Sequence, residues 1–481
     1  MTNINYDYVI VGGGPSGLTL AYTLGKLNKK CLLIDKNDSI GGCHRVTRID
    51  TLFSEHGPRI YLSAYINLRM LLKKMDLNFY DFFTKYDFSL SSIILEIFKN
   101  MKVKEIMLLS LEFIKLIFNN NHGKHTSIER YMTDNNFSES SMSYINKLCL
   151  STDGASIENY TLFKLLQLFN QKIFYNIYQP VKPNDINLIK RWIDKITETK
   201  NVDIMLNTDV TSINIKNNKI DSINTNKNST IFATNFILAI PPVHIATILQ
   251  NSADPVKNAF GDLTTFTQWA YKHNYITYIP ITFHWNTKLN LKKIWGVDVT
   301  SDWNITFILL SDYMKFDNSS SQTVISCCIS VLDVKSKNNN KTANECDQDE
   351  LIAEVFQQLK NSYPYLPNAT KSILHNSVVK NGSWINNDTA YIYNQSHDNY
   401  INSKSSIFSN LYNVGTHNGN STYYFTSMES AVSNAIYLLQ QLFPETKKEY
   451  LLESCLTLTK FIRISIIVII CLVISLYIFK K

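Results

Sequence analysis

Residues Val9 to Gly42 read VIVGGGPSGLTLAYTLGKLNKKCLLIDKNDSIGG, and seven of the 15 glycines in the 481-residue chain fall in this stretch of 34. Their placement leaves few choices of fold. DYVIVGGG opens as a β-branched run of the kind that forms a buried parallel strand. Gly12, Gly14 and Gly17 then make a G-x-G-x-x-G turn, and Pro15 stands near the first position of a helix, where a missing N–H does no harm. Leu18, Leu20, Ala21 and Leu24 continue that helix, and KKCLLID supplies a second strand ending at Asp35, 18 residues past Gly17. Each residue type has a task in such a unit. Gly12 permits the tight turn, Gly14 lets the backbone approach a pyrophosphate, and Gly17 lets helix and strand pack closely. The helix start, from Ser16 onward after Pro15, offers free N–H groups to the phosphates. Asp35, with Lys36 beside it, is placed to accept hydrogen bonds from a ribose diol. The unit predicts a dinucleotide-binding α/β domain.

A second glycine pair, Gly41-Gly42, follows Asp35 after five residues. This arrangement resembles the D/E-x5-GG signature of the FAD-dependent amine oxidase superfamily, which has protoporphyrinogen oxidase, phytoene desaturase and UDP-galactopyranose mutase as relatives. The resemblance implies that the second loop passes beside the pyrophosphate and ribityl chain, where side chains would obstruct. Three later stretches carry it further. FSEHGPRIY, Phe53 to Tyr61, is similar to the segment that reaches the flavin ring, with Gly57 and Pro58 in the turn and Arg59 after them. The stretch from Val202 to Pro242 alternates as β-hairpins and ends in an apolar strand; by resemblance, Val210 lies against the adenine. NLYNVGTHNGNSTYYFTSMESAVSNAIYLLQQLF resembles the final FAD motif: a strand, Gly415, a loop, then a helix.

Thr426-Ser427-Met428-Glu429 fits a capping box that would start this last helix. The family aims the helix N-terminus, here at Met428, toward the flavin pyrimidine, where its partial positive charge favours the anionic reduced ring. The chain departs from the pattern at Gly415-Thr416, where the family has Gly-Asp, and at Ser430 and Asn434. Thr416 is expected to donate to a phosphate or ribityl oxygen in place of a carboxylate.

A net charge of +7 without a dense basic block argues against nucleic acid as a partner. The eight cysteines show no CxxC pair and no framework spacing, which points to free thiols in a reducing compartment. There is no metal-ligand spacing, no Gly-x-Ser-x-Gly elbow and no phosphate loop ending in Gly-Lys-Ser/Thr. Cys43-His44 falls beside the phosphates rather than at the far edge of the ring, so the FAD is expected to be non-covalent. No signal peptide is read at the N-terminus, because the apolar run starting at Tyr8 leads directly into the glycine loop.

FIRISIIVIICLVISLYIF, Phe461 to Phe479, is an uninterrupted apolar run; nineteen residues at ~1.5 Å rise span roughly 28 Å, one hydrocarbon core. Arg463 is expected to snorkel to the interface, with Lys480 and Lys481 beyond the far side. The expectation is a single-pass C-terminal anchor with the catalytic body facing the cytosol and the lipid bilayer as a partner.

The architecture expected is therefore a Rossmann-like FAD-binding domain of GR2 type, assembled from residues 1–70, 200–255 and 400–445. An α+β substrate domain would take a mostly helical segment, 71–199, and a sheet, 256–399. A linker, 446–460, and a transmembrane helix, 461–479, complete the chain. The stretch from Ile93 to Phe118 carries too many charges to span a membrane. It reads as an amphipathic helix packed over the substrate domain, or, in the sharper alternative, as a surface dipping into the bilayer. His284, Trp285 and Trp384 are weighed as cavity residues against a packing role. The resemblance implies an FAD-dependent oxidoreductase that takes a hydride from a small-molecule substrate, at a carbon next to nitrogen or by desaturating a hydrophobic molecule. The cofactor carries the hard chemistry, so no acid or base residue is demanded. The rivals are a flavin-dependent isomerase resembling UDP-galactopyranose mutase, whose corresponding region LNKKCLLIDKNDSIGG resembles, a non-catalytic flavin-binding scaffold, and a nicotinamide dehydrogenase.

Overall fold

The computed structural model describes residues 6–86, 90–272, 275, 278–292, 296–298, 301–316, 320–392 and 401–479. Lys480, Lys481 and the boundary expected at residues 399 and 400 lie outside them. The first unit folds as its glycines require. Strand β1 (Tyr6–Val11), helix α1 (Pro15–Lys26) and strand β2 (Cys31–Ile34) follow one another, and β1 and β2 pair in parallel with Val9 opposite Leu32. The chain then runs through α2 (Ile66–Lys74) and a series of helices that includes α3 (Val103–Phe118). It returns at β3 (Val202–Met205), which is not a hairpin strand as expected but extends the parallel sheet beyond β2. β4 (Val210–Lys216), β5 (Lys219–Thr225) and β6 (Thr230–Leu238) form an antiparallel meander. β6 is long enough to serve twice. Its first residues close the meander, while Phe236, Ile237 and Leu238 pair in parallel with β1 on one side and with residues Leu411–Asn413 on the other.

A second, antiparallel sheet comprises β7 (Ile279–Trp285), β8 (Gly296–Asp298), β9 (Ile305–Leu309), β10 (Thr323–Ile329) and β11 (Lys371–Leu374), in the order β8-β9-β10-β7-β11. Every residue of β7 and β10 is buried, the polar Thr282, His284, Thr323 and Ser326 included. His284, Trp285 and Trp384 belong to this packing and not to a cavity wall. The imidazole of His284 bonds the Phe53 carbonyl (2.8 Å) and Ser321 Oγ (2.9 Å), while the indole N–H groups of Trp285 and Trp384 donate to the carbonyls of Pro367 (2.9 Å) and Ala343 (3.0 Å).

The chain ends with β12 (Leu411–Asn413), α4 (Met428–Leu442) and α5 (Leu458–Phe479). α4 begins one residue later than the expected box. Ser427 is its N-cap, accepting from the Ser430 N–H (3.2 Å), and Ser430 Oγ accepts in return from the Ser427 N–H (2.9 Å). Glu429 is thereby released for another task. Its buried carboxylate accepts from the N–H groups of Asn67 (3.0 Å) and Leu68 (2.9 Å), and from Asn67 Nδ2 (2.7 Å). Those backbone donors are orphans of the first turn of α2, so one helix supplies the cap of another.

The segment expected as one amphipathic helix is two, Leu90–Asn100 and α3, and α3 is turned inside out. Its carboxylates point inward: Glu105 accepts from the Ser138 N–H (2.7 Å) and Ser141 Oγ (2.6 Å), and Glu112 is paired with Lys115 (2.7 Å). Its outer face carries Val103, Met107, Leu111, Ile114 and Phe118, exposed by 49% to 80%. α5 has 22 residues and a mean hydropathy of 2.8, long and apolar enough to cross a membrane. Arg463 does not reach for the interface by itself. Its guanidinium donates to the carbonyls of Leu116 (2.9 Å) and Ile117 and to Asn120, closing the C-terminal end of α3. The stretch expected as a linker is also held. The N–H groups of Glu453, Leu456 and Thr459 donate to Asn67 Oδ1 (2.9 Å), Tyr175 Oη (2.7 Å) and Asn170 Oδ1 (2.9 Å).

Candidate functional site

A cavity of about 550 Å³ is walled by the glycine loop, by α4's first residues, and by Thr306 and Ile308 of the second sheet. Of the residues expected to bind a cofactor, only Gly17 and Gly41 stay out of its wall. Both have structural tasks. A Cβ at Gly17 would sit 1.9 Å from the Gly12 carbonyl oxygen, where α1 crosses the turn. The N–H of Gly41 donates to the Gly13 carbonyl (3.0 Å), latching the second glycine loop to the first. Gly12 has φ +106°, a conformation closed to side chains, and a Cβ there would meet the Ala239 carbonyl oxygen at 2.5 Å.

Gly14 is different. Its φ of −74° suits any residue, and a Cβ there would meet nothing nearer than Gly42 Cα, at 3.9 Å. The fold therefore has no need of glycine at this position; what a side chain would fill is the cavity. The residues fit a bound diphosphate on that observation, with α1's N-terminus directly behind.

Asp35 is buried and ties the loop together. One carboxylate oxygen accepts from the Gly13 N–H (2.7 Å) and the other from the Asn37 N–H (2.9 Å), which leaves further lone pairs for a ligand. Burial pushes its pKa up and these two donors pull against it. Val210 opens β4 at the same wall, beyond the hydrogen bond from Thr208 N–H to the Asp35 carbonyl (3.0 Å).

Around Gly57, whose φ is +124° and whose missing side chain would press on Cys328 at 3.2 Å, lies a dense polar group. Arg59 donates to His44 Nδ1 (2.8 Å) and to the Cys43 carbonyl and has Glu55 at 3.9 Å. Burial, with the adjacent Arg59 charge, holds His44 and His56 well below the usual imidazole range, so both are neutral. Burial pushes the Cys43 thiol up to about 12, which leaves it protonated and a poor nucleophile. Asp388, on the same wall, pairs with Arg45 behind it (2.8 Å). Thr416 cannot act as expected through its hydroxyl proton, which is donated to the Tyr391 carbonyl (2.6 Å); its backbone and lone pairs are what it can offer. The Gly415 N–H donates to Asn418 Oδ1 (2.9 Å), and Met428 marks α4's positive end at the cavity.

Sequence reasoning missed Asp388, Tyr391 and Lys172. Asp388 and Arg45 are 343 residues apart and no local pattern joins them. Lys172 lay hidden among the many lysines of an Asn- and Lys-rich chain.

The parallel strand–glycine turn–helix unit with its open cradle, sharing one cavity with a second sheet, has the form of a Rossmann-like dinucleotide site. Comparison with known proteins agrees. Residues 10–75 match the family model described as NAD(P)-binding Rossmann-like domain. The chain is 43% identical over 63 residues to UDP-galactopyranose mutase of Mycoplasma genitalium, a match spanning 12% of this chain and only 16% of the mutase. An oxidoreductase from Methanosarcina mazei superposes with a TM-score of 0.62 at 13% identity, covering 90% of this chain and 99% of that one. A putrescine oxidase bound to putrescine gives 0.63 at 12% identity, covering 92% and 99%. The fold is thus shared with these two oxidoreductase structures over nearly the whole chain, whereas the mutase likeness is confined to a short stretch.

Proposed function

We propose that the chain is an FAD-dependent oxidoreductase of the amine oxidase type, held in a membrane by α5. The observation that carries the cofactor is the side-chain-free space at Gly14. Gly12, Gly14, Pro15 and Ser16 would hold the pyrophosphate, with Gly42 across from them and Gly17 and Gly41 shaping the two loops from behind. Asp35 and Lys36 would take the ribose, and Val210 the adenine. Gly57, Pro58, Arg59, Gly415, Thr416 and Met428 would surround the rest. FAD bound there supplies a hydride acceptor. The chain's own part is to orient the substrate, to present α4's positive end to the charge that develops, and to keep water out with a largely aromatic and aliphatic wall. The protonated thiol of Cys43 supports a non-covalent cofactor.

Full-length protein purified in detergent is expected to be yellow and to release FAD on denaturation. A folded, colourless and flavin-free preparation would end the proposal. The 63-residue match to the mutase favours one alternative, a flavin-dependent isomerase. Turnover of a nucleotide sugar by the reduced protein without net redox change would establish it.

The bilayer reading rests on two apolar surfaces that join. The exposed stripe of α3 ends at Phe118, beside the Leu116 and Ile117 carbonyls that Arg463 of α5 holds. α5 would cross the membrane while α3 lies in its interface. All eight cysteines are unpaired, which supports a body on the cytosolic side. Full-length protein is expected to stay with membranes through carbonate washing. A chain ending at Arg463 should become carbonate-extractable, and adding Met107→Glu and Leu111→Glu to it should move it to the soluble fraction. Retention of that last variant on membranes would remove α3 from the interface.

A further inference from the structure

A second group of cavity-lining residues, distinct from the glycine loop, comprises Tyr65, Leu168, Lys172, Tyr175, Tyr423 and Phe425. Its rings pack on one another, with centroids 5.3 Å apart for Tyr65 and Tyr423 and 5.4 Å for Tyr423 and Phe425. Lys172 Nζ lies 4.2 Å from the Phe425 ring centroid. The carboxylates that line the cavity are elsewhere: Asp35 is bound to Gly13, Asp388 is paired with Arg45, and Asp209 precedes Val210. Behind Lys172, the buried carboxylate of Asp153 is already taken by the Lys164 ammonium and by the Thr426 N–H (2.9 Å), so that pair is neutral as a unit. Burial, with the Lys164 charge adding to it, pushes Lys172 down to about 8 against the pull of Asp153. A half-buried cation resting on an aromatic face gains most from a ligand that brings its own anion. A protonated amine would meet repulsion at this spot.

The wall at Lys172 is also thin. Lys172 and Tyr175 line the cavity, while Ile173 and Phe174 between them are 40% and 43% exposed on the outside. The Phe174 ring lies 5.4 Å from that of Phe461 in the first turn of α5, and Tyr175 Oη holds the Leu456 N–H just before that helix. One short segment therefore separates the cavity from the root of the apolar helix.

We propose that the cavity binds a membrane-borne amphiphile with an anionic head, of the long-chain carboxylate class, and that Lys172 pairs with the head while the tail lies along the apolar wall of Leu148, Leu168, Ile177 and Ile308. This names the substrate class for the oxidoreductase reading and rests on it for the reaction, though not for the binding.

The test uses the full-length chain in lipid nanodiscs, labelled with a diazirine-bearing palmitate and mapped by peptide. Labelling within 165–177 and 420–428 is expected, competed by palmitate and at least tenfold less by hexadecylamine, as the loss of a charged hydrogen bond implies. Lys172→Gln should lower labelling about tenfold and Lys172→Arg should restore most of it. Equal competition by hexadecylamine in the wild-type protein, or undiminished labelling of Lys172→Gln, would overturn the proposal; the wild-type comparison decides if the variant does not fold. Flavin content of the same samples keeps the two readings apart. Selective labelling without flavin ends the oxidoreductase reading alone, and flavin without carboxylate preference ends this one alone.

Discussion

Gly14→Val is expected to give a folded chain that no longer retains its dinucleotide. The position has an ordinary φ of −74° and no neighbour within 3.9 Å of an added Cβ, so the substitution costs the fold little beyond a weaker helix cap. The new side chain stands where backbone N–H groups would otherwise approach the phosphates. Charge-assisted hydrogen bonds contribute about 1.5–3 kcal/mol each, so the loss of two implies two to four orders of magnitude in affinity. Flavin per chain after gel filtration measures it, alongside the unfolding midpoint. Gly17→Ala is the contrast. Its Cβ would overlap the Gly12 carbonyl oxygen at 1.9 Å, so that variant should lose the fold itself. If the two variants behave alike, Gly14 is merely structural.

The second large effect is expected at Glu429. Glu429→Ala removes the acceptor of two backbone N–H groups and of Asn67 Nδ2 in a buried site, a cost of about 3 kcal/mol or more. The carboxyl also titrates. Burial pushes it from 4.5 to about 7, although three donors pull the other way. The folded protein thus holds this proton more tightly than the unfolded chain does. The contribution is complete below pH 4.5 and is lost as pH rises through about 7. A decline of about 3 kcal/mol in unfolding free energy across that window is expected for the wild-type protein relative to Glu429→Gln, which has no proton to lose. Urea midpoints of the two proteins from pH 4 to 8 test it, and parallel curves would refute the assignment.

The glycine loop was legible from sequence because its constraints are local: a turn, a helix start and a close crossing are all fixed within a few residues. The same holds for β1, α1, β2 and Asp35. What escaped was what distant segments do to one another. Glu429 looked like its own helix's cap because the spacing allows it, yet its partner is the start of α2, more than 360 residues away. Arg463 looked like a lone interfacial cation, and the end of α3 claims it. α3 itself shows helical periodicity, but the period cannot say which face looks out, and here the carboxylates look in. Trp285 and Trp384 are attractive cavity residues by composition, whereas their N–H groups are spent on the backbone carbonyls of Pro367 and Ala343.

The bonds at the base of α5 set more than a position. A body on a slack tether would sample every attitude above a bilayer. Here Asn67, Tyr175 and Asn170 each grip the approach to the helix, and Arg463 rivets its first turns to α3. If α5 crosses a bilayer as proposed, such a body would keep one heading, and tilt and depth would become inherited properties of the protein. The search for partners would then be confined to the plane, with the same side turned toward the leaflet.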